Sequence, residues 1–195
     1  MKTVLIGLGS QGQKHFRVSG KDIIAIVDPL QKVKYKNIKE VPLNTYNAAI
    51  ICTPNQEKIP IIEYLLDNKK HIMVEKPLIG TSEELENLWL MQQKQKVALY
   101  TAYNYRFEPH IVQIKDILDK ETLGEIYSIR IFLGNGTAKN VKESPWRDKG
   151  RGVLEEISSH QFDLVQYLLN DEEIEFPYIL VSNFENLAYD HVILH

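Results

Sequence analysis

Three groups of residues in this sequence have types and spacing suited to chemistry. The first is Gly7-Leu8-Gly9-Ser10-Gln11-Gly12, a G-x-G-x-x-G pattern that follows a short apolar run and opens a helical one. In such a pattern the first glycine permits a tight turn, the second leaves room for a pyrophosphate, and the third lets helix and strand pack closely. The helix start, with Ser10 and Gln11, adds free N–H groups and a dipole that favours phosphate. Asp28 ends the next apolar run, sixteen residues after Gly12. A carboxylate there accepts hydrogen bonds from ribose hydroxyls and repels a 2′-phosphate, which favours NAD(H) over NADP(H). The lysines at positions 32, 34 and 36 partly offset that repulsion, so NADP(H) stays open.

The second group leaves two later apolar runs: Thr53-Pro54-Asn55 after one and Glu75-Lys76-Pro77 after the next. Ligands of open α/β sheets bind outside the C-terminal ends of the strands, so both segments are expected to border the cofactor. Lys76 at such an edge can hold a substrate oxygen and stabilise developing alkoxide charge; a surface lysine is the competing reading. The third group is Glu156, His160 and Asp163. On a helix, Glu156 lies one turn from His160 and can orient its imidazole as a general base, and Asp163, three residues on, is a second candidate partner. A lone helix histidine is more often an ordinary half-buried side chain, and the other five histidines have no comparable setting.

The elements that must position these residues are legible from periodicity. Residues 2–6, 23–27, 48–52, 71–74 and 97–100 read as short buried strands. Between them Ile59, Ile62, Leu65 and Leu66 recur at helical spacing, as do Leu85, Leu88 and Trp89. Thr81-Ser82-Glu83-Glu84 has the composition of a helix start. Residues 31–40 are lysine-rich and weakly periodic, so the helix expected in that crossover is short or missing. Strand–helix alternation implies a Rossmann-type, doubly wound parallel sheet over residues 1–103. Over residues 104–195 the pattern becomes a shortened α+β domain with an open sheet. Helices are expected at 109–120 and 155–169, strands at 125–133, 176–181 and 188–194, and a polar loop at 134–151.

Composition narrows the class. With 44% hydrophobic and 25% charged residues the chain is globular in type, and a formal net charge of −3 gives no drive toward nucleic acid or membrane. Residues 4–8 after a lysine are too short an apolar run for a signal peptide. The single cysteine, Cys52, excludes an internal disulfide and reads as a structural thiol, which points to a reducing cytoplasm. No metal is expected.

Taken in order, these motifs resemble the Gfo/Idh/MocA family, the glucose–fructose oxidoreductase and inositol dehydrogenase group. The resemblance covers GLGSQGQKH at 7–15, Asp28-Pro29, Thr53-Pro54-Asn55, VEKPL at 74–78, YNYRFEP at 103–109, Leu123-Gly124-Glu125-Ile126, and Trp146-Arg147 through Asp163. It implies a nicotinamide-dependent dehydrogenase acting on cyclitols, aldoses or nucleotide-linked sugars. By position it implies that Lys76 is the active-site lysine, that His160 is the catalytic histidine, and that Glu156 stands where aspartate is usual. It also implies that Asn104 lies near the nicotinamide, and that Arg106, Trp146, Arg147 and Asp163 face the substrate. Departures are Lys58, where a histidine is common, and Arg151 and Ser158 in place of glycines.

The chain is shorter than the family's members, which sets a second reading beside the dehydrogenase: a non-catalytic NAD(H)-binding sensor or subunit with a truncated substrate domain. Redox-assisted elimination or glycoside hydrolysis with tightly held NAD is a third. A small open sheet has a free edge, and in the family the second domain's sheet commonly meets another subunit, so a homo-oligomer through residues 125–195 is expected.

Overall fold

The apolar runs of the first hundred residues form five strands of one sheet: β1 (Thr3–Ile6), β2 (Ile23–Val27), β3 (Ala48–Ile51), β4 (His71–Val74) and β5 (Leu99–Thr101). In this computed structural model, which describes residues 1–134, 141, 150–170 and 178–194, they belong to a first unit, Met1–Ala102. The strand order is β2-β1-β3-β4-β5 and every pairing is parallel. Because β2 lies on one side of β1 and β3 on the other, the chain reverses its direction of travel between β1 and β3. That reversal opens a crevice at the C-terminal ends of those two strands.

Helices α1 (Ser10–Ser19), α2 (Asn55–Asp67) and α3 (Ser82–Gln95) cover the sheet. The core joins Val4, Ile6, Ala49, Ile51, Ile72 and Val74 of the strands to Ile62, Leu65 and Leu66 of α2 and Leu88 of α3. Strands buried on both faces read as continuous apolar runs for this reason. The start of α3 follows the sequence: Glu84 N–H donates to Thr81 Oγ1 at 3.2 Å, and Thr81 N–H donates to Glu84 Oε2 at 2.7 Å. This reciprocal pair satisfies two donors that the helix cannot. The crossover after β2 holds no α-helix, only a bent loop and two 3-10 turns, at Ile38–Glu40 and Leu43–Thr45.

The second unit, Tyr103–His195, contains a 3-10 turn (Asn104–Phe107), α4 (Pro109–Asp119), α5 (Val153–Glu156), α6 (Ser158–Leu168) and an antiparallel pair, β6 (Ile179–Ser182) with β7 (His191–Leu194). The strand expected at 125–133 is not one. Those residues have β-forming composition, but no described segment runs beside them to take their backbone hydrogen bonds. Tyr127 and Phe132 are 89% and 94% exposed. The helix expected at 155–169 is two helices that meet at Ile157. No helix among the described residues is long and apolar enough to cross a membrane.

Candidate functional site

Gly7 turns the chain out of β1 at φ +89°, where a side chain would be strained, and a Cβ there would lie 2.7 Å from the Cys52 carbonyl oxygen. A Cβ on Gly12 would lie 2.0 Å from the Gly7 carbonyl oxygen. These two glycines therefore serve packing: one brings the turn against the exit of β3, the other brings α1 against the turn. Gly9 is different. It is the N-cap of α1, no side chain caps it, and a Cβ there would meet nothing within 4 Å. The first turn of α1, with Ser10 exposed and Gln11 half-buried, thus faces open space beside the crevice. That is the cradle a pyrophosphate requires. Across it, beyond β3, Thr53 Oγ1 is buried with no hydrogen-bond partner among the described residues.

Asp28, at the end of β2, is 8% exposed and ties the glycine turn to the following loop. Its Oδ2 accepts the Leu8 N–H at 2.7 Å, and its Oδ1 accepts those of Leu30 and Gln31 at 2.8 and 3.0 Å. Burial pushes the carboxyl up, but these three donors and the charge of Lys36 outweigh it and hold Asp28 below its ordinary value. An ionised carboxylate offers about four lone-pair sites. Three are occupied, leaving capacity on Oδ2 for a ribose hydroxyl. Of the lysines in the loop, Lys36 donates to the Gln31 carbonyl at 2.5 Å and Lys34 lies over the Tyr35 ring at 4.8 Å.

Glu75-Lys76-Pro77 leaves β4 with a cis peptide before Pro77, and Lys76 is half-buried. The segment is held from two sides. From α1, His15 Nε2 lies 2.7 Å from Glu75 Oε1. Burial raises the Glu75 carboxyl, and the hydrogen bond and charge of His15, with Lys76 and Lys58, overcome it and hold it low. From α2, the ammonium of Lys58 donates to Asn55 Oδ1 at 2.8 Å and to the carbonyls of Glu75 and Pro77 at 2.5 and 2.6 Å. Pro54 precedes α2 as its N-cap, and Asn55 opens the helix. Cys52 is half-buried, and burial together with the Glu75 charge pushes its thiol up to about 12, so it is no nucleophile near neutrality.

In the second unit, His160 sits in the first turn of α6 between two tyrosine rings. Tyr105 is tilted against it at 4.8 Å and Tyr103 meets it edge-on at 5.8 Å between centroids. Burial and the Asp163 charge raise the Tyr103 hydroxyl's pKa. Asp163 is engaged by Arg106, whose Nε lies 2.9 Å from both carboxylate oxygens and whose Nη2 lies 2.7 Å from Oδ1. Arg106 also lies over the Tyr167 ring at 5.2 Å. This pair fastens the Asn104–Phe107 turn to α6. Asn104 is exposed at the head of that turn. Glu156 ends α5, so it and His160 lie on successive helices that meet at Ile157. Trp146 and Arg147 lie outside the described residues.

Sequence reasoning assigned no role to His15, Lys58, Tyr103 or Tyr105. His15 is 60 residues from Glu75, and no spacing rule links positions so far apart. Lys58 had a signal that was available: it shares the face of Ile62, Leu65 and Leu66, the core stripe of α2.

The comparisons with known proteins bear on the family and the fold. The oxidoreductase family with an NAD-binding Rossmann fold, GFO_IDH_MocA, matches residues 1–103, and the GFO/IDH/MocA C-terminal domain matches residues 111–186. The rhizopine catabolism protein MocA of Rhizobium meliloti is 25% identical over 188 residues, covering 88% of this chain and 58% of that protein. The inositol 2-dehydrogenase of Rhizobium meliloti (strain 1021) is 26% identical over 128 residues, covering 66% of this chain and 38% of the other. The WlbA dehydrogenase from Bordetella pertussis, solved in complex with NADH and UDP-GlcNAcA, has the same fold, with a TM-score of 0.82 at 17% identity over 98% of this chain and 66% of its own. The chain thus spans roughly 40 to 60% of the length of the two curated relatives. By its two matched regions the chain belongs to the Gfo/Idh/MocA oxidoreductase family, and its first unit is that family's NAD-binding Rossmann fold.

Proposed function

We propose that this chain is an NAD-dependent oxidoreductase that moves a hydride between nicotinamide and a hydroxyl-bearing carbon of a sugar, cyclitol or nucleotide-sugar. The observation that carries the reading is the open cradle at Gly9, set at the reversal of the parallel sheet, with Thr53, Asn55, Glu75 and Lys76 leaving the adjacent strands. The names of the relatives support the substrate class: one is an inositol 2-dehydrogenase, and the WlbA dehydrogenase was solved with a nucleotide-sugar.

Bound nicotinamide supplies the hydride acceptor or donor. Gly9, Ser10 and Gln11 would hold the pyrophosphate on the start of α1, with Gly7 and Gly12 shaping the turn that brings the helix there, and Asp28 would take a ribose hydroxyl on its remaining lone pair. His160 removes the proton from the substrate hydroxyl, and its ring plane is set by Tyr103 and Tyr105. Lys76 would hold a substrate oxygen and stabilise its developing charge. Glu156 steadies the imidazole from the preceding helix. The family resemblance assigns Asn104 to nicotinamide and Arg106 and Asp163 to substrate, with the Arg106–Asp163 pair acting as a brace.

The test is NADH formation, followed by absorbance, when NAD⁺ is offered with myo-inositol, a panel of aldoses and UDP-linked sugars. Turnover of any of these supports the reading. Tight NADH binding without turnover of any favours the alternative, a non-catalytic NAD(H)-binding subunit. We also propose self-association through residues 125–195, supported by the exposure of Tyr127 and Phe132 and by the edges of the β6–β7 pair, which meet no further strand among the described residues. Light scattering on dilute protein checks it; a monomer refutes it.

A further inference from the structure

Lys58 is the one charged side chain on the buried stripe of α2, at 1% exposure among Ile62, Leu65 and Leu66. An ammonium is tolerated in such a place only when its donors are satisfied. It has three donors, and the structure gives them three oxygens: Asn55 Oδ1, Glu75 O and Pro77 O, at 2.8, 2.5 and 2.6 Å. The placement of the last two is specific. They are the carbonyls of the residues immediately before and after Lys76, so one buried point fixes the peptide on both sides of Lys76. The third acceptor is the side chain of Asn55, at the start of α2 in the Thr53-Pro54-Asn55 segment. Methionine or leucine would fill the same stripe without leaving a charge to neutralise, and would leave three oxygens without their donor.

We propose that Lys58 is a positioning residue: its ammonium, by holding Glu75 O, Pro77 O and Asn55 Oδ1 together, sets the direction in which Lys76 leaves the backbone and registers it against the cofactor-binding segment. The inference rests on reading Lys76 as the active-site lysine. A reacting group displaced by ~1 Å loses on the order of 10²-fold in rate, so a rigid anchor on both flanking carbonyls has a function beyond packing.

The test uses the 195-residue chain with Lys58→Met, which removes all three donors on a similar stem, and Lys58→Gln, which keeps two. Each variant is first shown to be folded by circular dichroism and is then read well below its melting temperature. Two readouts follow: the acylation rate of Lys76 by a small reagent, measured by peptide mass spectrometry with Lys94 as internal reference, and NADH affinity by fluorescence. Lys58→Met should change the Lys76 rate severalfold with Lys94 unmoved, and should weaken NADH binding on the order of tenfold, with Lys58→Gln between it and wild type. A merely structural lysine would lower the melting temperature and leave both readouts within twofold of wild type, which overturns the proposal. Failure of both variants to fold overturns it as well, since it assigns Lys58 to the fold as a whole. Failure of the underlying reading looks different: Lys76→Ala would keep its turnover whatever Lys58 does.

Discussion

Replacing Gly9 and Gly12 separately by alanine should separate the glycine that serves the ligand from the one that serves the fold. At Gly12 an added Cβ falls 2.0 Å from the Gly7 carbonyl oxygen, where ordinary contact is about 3.5 Å. Neither group is a side-chain tip that can swing away; both are backbone, in α1 and in the turn after β1. Either α1 withdraws from the sheet by roughly 1.5 Å or the turn deforms, and overpacking of this severity costs at least about 3 kcal/mol. At Gly9 the Cβ meets nothing within 4 Å, and the backbone, at φ −71°, is open to any L-residue. The loss of glycine's N-cap preference and the gain from a stiffer unfolded chain nearly offset, so stability should change by less than ~1 kcal/mol. The methyl group does occupy the cradle in front of the first N–H groups of α1. Displacing a phosphate from one or two of those donors weakens NADH by roughly 10- to 10³-fold. Thermal melting and NADH fluorescence titration on the two variants give both numbers. Gly9→Ala that binds NADH like wild type, or Gly12→Ala that melts like wild type, would refute the assignment of roles.

Asp28, held below its ordinary pKa, contributes stability that is complete above the unfolded value and is lost as pH falls through the lowered folded one. Urea melts between neutral and acid pH should therefore show a shallower acid loss in Asp28→Asn than in wild type; equal slopes would contradict the three hydrogen bonds. The same carboxylate should make wild type bind NADH more tightly than NADPH, and fluorescence titration with both checks this. Once a substrate is found, Lys76→Ala and His160→Ala should each lose on the order of 10²- to 10⁴-fold in kcat, the range of a lost acid–base group. Retained turnover in either would remove that residue from the mechanism.

The first unit was legible because its signals are local. Short β-branched runs are buried on both faces, the capping box of Thr81 and Glu84 spans three residues, and the glycine spacing is fixed by the geometry of one turn. The weak periodicity of residues 31–40, which left the helix short or missing, matches a crossover with only a 3-10 turn at Ile38–Glu40 over those positions. Asp28 was found as an acid at a strand end, but its three backbone donors were not, since Leu8 lies 20 residues away.

Residues 125–133 show the opposite case. Their alternation has strand character, yet strand formation depends on a neighbour, and a pattern within nine residues says nothing of whether one is present. The helix predicted through Glu156 and His160 divides at Ile157 although the residue spacing alone allows one continuous face. What the sequence alone determined is the parallel sheet and the glycine turn, because backbone preference and burial period act over a few residues. What only the tertiary structure decided is which group holds which: His15 on Glu75, Lys58 on both sides of Lys76, and Arg106 on Asp163. Those contacts join positions 17 to 60 residues apart, and their partners are selected by sheet order, turn geometry and the cost of leaving a buried charge unanswered.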